Sequence, residues 1–134
     1  VIKVYIASKL HYAKDFQRTR ATWLHDGIDL HARWHDQAAL ELAPEHCLSP
    51  EDFHIFWQVD EEDVKTSHAV IVYGEKRDKL RGALVEAGIA IGAGILTILV
   101  GDCDDFGTWQ HHPVVARATS MEHAKTMILR RFRV

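Results

Sequence analysis

The stretch from Ser67 to Gly101, SHAVIVYGEKRDKLRGALVEAGIAIGAGILTILVG, constrains the fold of this chain more than any other. It holds two runs rich in β-branched residues, Ala69–Tyr73 and Ile95–Val100, separated by a segment of small and apolar residues. Short apolar runs bounded by glycine and charge read as buried strands, and the intervening segment is long enough for a crossover helix. The pattern predicts a βαβ unit with parallel strands and a helix on one face of the sheet. Ligands of such sheets gather at the carboxyl ends of the strands, where the loop after Tyr73 falls. Within the helical segment Glu86 is the only acidic side chain between Asp78 and Asp102. A carboxylate in such apolar company is either a residue on the helix's outer face or a working group.

The rest of the chain extends the same alternation. Val1–Ala7 is a β-prone run suited to a central strand, and His11–His25 has helical spacing through Tyr12, Phe16 and Trp23, closed by Gly27. Ile28–Trp34 alternates like a second strand. His35–Ser49 contains Pro44 and reads as a long loop with a helical turn at most; such loops in compact domains are more often functional than idle. Ser49-Pro50-Glu51-Asp52 is a helix start, with serine as N-cap, proline at the first position and acids in the first turn. That helix is expected to run to about Ser67. After the βαβ unit, Asp102–His112 is loop-like, Val114–Ala118 is a fifth strand, and Thr119 or Ser120 caps a last helix through Met127 and Leu129. The expected architecture is a single α/β domain over residues 1–134, doubly wound and flavodoxin-like or Rossmann-like. Its mostly parallel five-stranded sheet would carry helices on both faces.

Charge and composition narrow the function. The formal charge of −3 gives no electrostatic case for binding a nucleic-acid polymer. No apolar run approaches the roughly 20 residues that span a bilayer, so no membrane role is expected. Cys47 and Cys103 match no metal or redox spacing and read as free thiols, making a cytoplasmic soluble domain the expectation. The ten histidines are scattered, and no zinc-binding spacing occurs, so no metal or other cofactor is expected. The glycines form neither a dinucleotide fingerprint nor a phosphate loop.

Three positions stand out for chemistry. Asp60 and Asp63, within Asp60-Glu61-Glu62-Asp63, share a helix face. The run reads either as a solvated charged turn or, with Trp57 one turn earlier, as an aromatic surface beside a carboxylate that suits a planar heterocycle with a ring nitrogen. Gly82 lies one turn before Glu86 on the same helical face, leaving room for a ligand to approach that carboxylate. Ser8 and Lys9, just past the first strand, are placed to meet a phosphate or a sugar hydroxyl.

Taken together, VYIAS with Tyr5, WQVDEEDV with Asp60, HAVIVYGE, and GALVEAGIAIGAG with Glu86 resemble the nucleoside 2-deoxyribosyltransferase family and its nucleoside hydrolase relatives. The resemblance implies cleavage of the N-glycosidic bond of (deoxy)nucleosides or their 5′-monophosphates, with transfer to another base or to water. It makes Glu86 the nucleophile of a covalent glycosyl-enzyme, Asp60 the group that contacts or protonates the leaving base, and Tyr5 the residue that orients Glu86. It also implies homodimers or larger homo-oligomers with shared sites, His111 being the candidate borrowed contact. Two positions depart from the family's pattern. Leu80 stands where the family often has an aspartate six residues before the nucleophile, and Arg81-Gly82 replaces Ser-Gly or Asp-Gly. Asp78, two residues before Leu80, is either its substitute in binding substrate or a solvated surface charge. These departures leave open the base, the sugar, and transfer against hydrolysis. The competing reading is a catalytically silent nucleotide-binding or regulatory domain of the same fold.

Overall fold

A computed structural model of the protein describes residues 1–36 and 48–133. Most of the loop expected over His35–Ser49, including Pro44 and Cys47, lies outside these residues; Cys103 is buried with a free thiol.

Among the described residues, five strands form one parallel sheet in the order β2-β1-β3-β4-β5. They are β1 (Ile2–Ala7), β2 (Ile28–Leu30), β3 (Ala69–Tyr73), β4 (Leu96–Val100) and β5 (Val115–Ala118). The helices are α1 (Ala13–Leu24), α2 (Pro50–Lys65), α3 (Gly82–Gly92) and α4 (Met121–Phe132), with short 3₁₀ turns at Leu10–Tyr12 and Thr108–His111. Strands β1 and β3 are buried almost throughout, as expected of central strands covered on both faces. Lys125 on α4 reaches Asp26, just past α1, at 2.7 Å, which places these two helices on one face of the sheet. On the other face, α2 packs against α3.

Local chemistry explains the boundaries. Ser49 caps α2 in a reciprocal box with Asp52, and Ser120 caps α4 by accepting from the His123 N–H. Gly101 ends β4 with φ +99, and a Cβ there would lie 2.0 Å from the Gly74 carbonyl oxygen, so only glycine lets these two strand ends meet. One boundary differs from expectation. The second strand stops at Leu30 rather than Trp34, because the Arg33 N–H turns away to the Asp63 carboxylate at 2.9 Å. The Trp34 indole then folds under the sheet edge, its Nε1–H donating to the Ile6 carbonyl at 2.8 Å.

The strand order reverses direction between β1 and β3. Their carboxyl ends therefore diverge into loops on opposite sides and leave a crevice between them.

Candidate active site

That crevice is a cavity of about 450 Å³, within the range of small-molecule sites. The loop after β1 contributes Ser8, Lys9 and His11, α2 contributes Trp57 and Asp60, and the loop entering α3 contributes Lys79, Leu80 and Arg81. Gly82 and Glu86 line it from α3, and Trp34 closes it from below the edge strand.

Glu86 is 6% exposed, on a helix whose neighbouring residues Ala83, Ala87 and Ala90 are also buried. Of the two readings open for this carboxylate, the outer face is excluded. Burial pushes its carboxyl up to about 8. The Tyr5 O–H, from the fully buried side of β1, donates to Glu86 Oε2 and works in the opposite direction by stabilising the anion. Tyr5 and Glu86 are 81 positions apart in sequence and meet because α3 lies across the β1–β3 boundary. The site thus holds a carboxylate poised between neutral and charged forms at the floor of a cavity.

The acidic run of α2 separates into two environments. Asp63 is buried and engaged by Arg33, whose Nε and Nη2 donate at 3.1 and 2.8 Å to Oδ1. Asp60 lies one turn earlier and lines the cavity beside Trp57. The reading of this run as a solvated charged turn therefore holds for Glu61 and Glu62, both exposed, and not for the two aspartates. Trp57 is 39% exposed and forms an aromatic wall; a Cβ on Gly82 would touch its ring at 3.5 Å.

Ser8 and Lys9 reach the cavity as expected, although both also brace it. Ser8 Oγ donates to the Tyr73 carbonyl at 2.7 Å, and Lys9 Nζ donates to the Lys79 carbonyl at 3.2 Å. Two expected residues are placed elsewhere. Asp78 is not part of the cavity lining; its Oδ2 accepts from the Tyr12 O–H at 2.7 Å and the Glu75 N–H at 2.8 Å, pinning the β3–α3 loop. Partial burial raises the Asp78 carboxyl, but these donors, with His11 and Lys9 nearby, bring it below the usual range. His111 is exposed on the second 3₁₀ turn and does not line the cavity of its own chain.

Four contributors carry no clear mark in the sequence. Trp34 gives no signal, since it reads as the end of a strand. Lys79 and His11 are readable only as surface charges until the loops are placed, and Arg81 stands out only as a departure from the pattern that the resemblance implies. Arg81 carries a further mark in the structure: its φ is +43, the only positive value among the described non-glycine residues. Such a backbone costs on the order of 1–3 kcal/mol and persists where the surroundings fix it. Here the preceding Leu80 N–H is held by Asp105 Oδ2 at 2.8 Å, and Leu80 is itself buried.

No protein-family model matches the sequence, and no curated protein matches it. Solved structures do. A 2-deoxyribosyltransferase from Bacillus psychrosaccharolyticus is similar with a TM-score of 0.69 at 15% identity, over 92% of this chain and 90% of that one. A CMP N-glycosidase from Clostridium botulinum is similar with a TM-score of 0.56 at 13% identity, over 97% of this chain and 99% of that one. At these identities the likeness shows the shared fold, a single doubly wound α/β layer over nearly the whole length.

Proposed function

We propose that the protein is an enzyme of the nucleoside 2-deoxyribosyltransferase type, cleaving the N-glycosidic bond of nucleosides or their 5′-monophosphates. The observation that carries this reading is Glu86, buried at the floor of the cavity with the Tyr5 hydroxyl on its Oε2 and no side-chain cation bonded to it among the described residues. The activities of the two similar structures support it as a matter of fold-level analogy.

In this mechanism the nucleobase lies along Trp57 with a ring nitrogen toward Asp60, and the anomeric carbon faces Glu86. The glycosidic C–N bond breaks, its electron pair passes to the base nitrogen, and Asp60 supplies the proton. General-acid assistance of this kind typically contributes about 10²–10⁴-fold. A Glu86 oxygen bonds the anomeric carbon as oxocarbenium character develops, giving a covalent glycosyl-enzyme. Water or a second base then displaces Glu86. Tyr5 holds the attacking carboxylate in place and stabilises its charge. Only the ionised form of Glu86 attacks, so kcat/KM rises as pH approaches the carboxyl's raised value near 8.

The exposed apolar side chains Phe53, Ile55 and Trp57 of α2 and Val85 of α3 fit a homo-oligomer in which a neighbour's His111 completes the site. The silent nucleotide-binding reading has two observations in its favour, Leu80 and the push of Glu86 toward its neutral form.

The deciding experiment incubates the protein with a panel of nucleosides and their monophosphates, with and without an acceptor base. Base release is followed by chromatography, and the protein is weighed by intact mass spectrometry after rapid acid quench. Base release with a sugar-sized mass increase is expected, and Glu86→Ala should abolish both. Turnover undiminished in Glu86→Ala would overturn the nucleophile. Tight binding of one panel member with no turnover would establish the silent domain.

A further inference from the structure

Helices α2 and α4 each start with a serine that caps the first turn. Helix α3, which carries Glu86, starts differently. Its N-cap is Arg81, which has no side-chain cap among the described residues and sits at φ +43. The far end of α3 is closed by its own turn, where the Gly94 N–H donates to the Ile91 carbonyl and the Ile95 N–H to the Ala90 carbonyl. The entering end is fixed from outside. The peptide unit joining Lys79 to Leu80 is gripped on both edges: its carbonyl accepts from Lys9 Nζ at 3.2 Å, and its N–H donates to Asp105 Oδ2 at 2.8 Å. Because a peptide unit is planar, bonds on its two edges fix its orientation, and that orientation leads directly into Arg81. Both bonds are charge-assisted, and the one to Asp105 is the shorter.

Asp105 is itself braced. It lies in the β4–β5 loop, half-buried and outside the cavity lining. Its carbonyl accepts from Trp109 Nε1 at 3.3 Å, Trp109 packs edge-on against Phe106, and the Arg117 guanidinium of β5 lies 5.3 Å over the Phe106 ring. Arg117 Nη2 also donates to the Gly101 carbonyl at 2.8 Å, where the loop begins. This loop runs alongside the one entering α3. Asp104 pairs with Lys76 at 3.1 Å, Cys103 Sγ meets the Asp78 carbonyl at 3.3 Å, and Asp105 meets Leu80. The first two contacts join the loops to each other; the third reaches the residue next to the N-cap of α3. The buried Leu80 side chain packs beside Cys103 over Gly74, where a Cβ would lie 3.1 Å from Leu80 Cδ2 and 2.9 Å from Cys103 Cβ.

We infer that Asp105 is a positioning residue for Glu86: through the Leu80 N–H it fixes how α3 enters, and so where the carboxylate points in the cavity. Its effect on turnover rests on the function proposed above, whereas the clamp rests on the geometry alone. Glu86 begins the second turn of α3, so its carboxylate follows the first turn, while Tyr5 meets it from the sheet. Reacting atoms misplaced by about 1 Å can cost about 10²-fold in rate. Asp105 does not line the cavity, so binding along Trp57 and Asp60 is left intact when it is replaced.

The experiment measures kcat and KM for base release in the wild type, Asp105→Ala, Asp105→Asn and Lys76→Ala, with amide hydrogen exchange on the same proteins. In Asp105→Ala, kcat should fall about tenfold per folded molecule, with KM within about twofold of wild type. Asparagine keeps an oxygen that accepts from the Leu80 N–H, so Asp105→Asn should recover most of that loss. Lys76→Ala loosens the same pair of loops without touching the Leu80 bond and should leave kcat unchanged, which separates the aiming of α3 from loop stability. The Leu80 amide should exchange about tenfold faster in Asp105→Ala than in the wild type, and at the wild-type rate in Lys76→Ala. Wild-type kcat in Asp105→Ala, a loss confined to KM, or Asp105→Asn as impaired as Asp105→Ala would overturn the inference and leave the glycosidic reading intact. Faster Leu80 exchange in Asp105→Ala with no base release by the wild type would instead overturn the glycosidic reading, and the aiming role with it.

Discussion

Asp63 and Glu86 are equally buried, at 4% and 6% exposure, yet the protein treats their charges in opposite ways. Asp63 receives a guanidinium fork from Arg33 and the backbone N–H of the same residue. These donors replace the water it gave up, and the pair fixes where β2 ends and α2 lies. Glu86 receives one phenolic O–H from Tyr5, and burial moves it to about 8. A buried carboxylate that is fully satisfied stabilises a fold; one that is left short of donors beside a cavity has capacity for a ligand. The two helices that carry them touch, so the contrast is local and does not reflect depth in the protein.

The contrast breaks most sharply at Glu86 itself. Glu86→Gln keeps the shape and should lower turnover by roughly 10³-fold or more. The same substitution should affect stability in a pH-dependent way. The folded pKa is raised from 4.5 to about 8, so between those values the native state holds a proton that the unfolded state has lost. Wild-type stability therefore falls as pH rises through this window. The glutamine side chain of the variant has no such proton to lose. Glu86→Gln should therefore match wild type near pH 5 and exceed it by about 1–3 kcal/mol near pH 9, each tenfold difference in proton affinity being worth about 1.4 kcal/mol. Denaturant melts at both pH values measure this; a variant less stable than wild type at pH 9 would contradict it.

Arg33→Ala should act on the opposite property. Among the described residues it leaves the Asp63 carboxylate a backbone donor alone, and it should cost about 2 kcal/mol of stability, less than for a wholly buried pair because the Arg33 side chain is 49% exposed. Turnover per folded molecule should be nearly unchanged, which urea titration alongside activity will show. The smallest effect is expected for Tyr5→Phe, which removes the one side-chain donor to Glu86 among the described residues. Turnover should drop about tenfold, and the acid limb of the pH profile should move to higher pH as the anion loses its stabilising O–H. An unmoved limb would mean that Tyr5 is only packing.

Much of this is legible in the sequence because it rests on local periodicity. The order of strands and helices, the Ser49 cap and the place of Glu86 on a helix all follow from neighbours a few residues away. Seven of the nine residues named as site candidates, from Tyr5 to Glu86, do gather at one cavity or directly behind it. Asp78 pins a loop instead, because the Tyr12 O–H and the Glu75 N–H both claim its Oδ2, a competition that no spacing rule reveals. Trp34 escapes notice for a similar reason, its strand being cut short by a carboxylate 30 positions from Arg33.

The sequence by itself determined which side chains were candidates and the layered α/β frame that carries them, since both depend on residue type and short-range period. Tertiary structure alone decided which acid was neutralised and which was left poised. That choice depends on Arg33 meeting Asp63, and Tyr5 meeting Glu86, across separations of 30 and 81 residues. It also decided that residues of two separate loops, the one after β1 and the one entering α3, would line one cavity, because a parallel sheet brings the carboxyl ends of distant strands to the same edge.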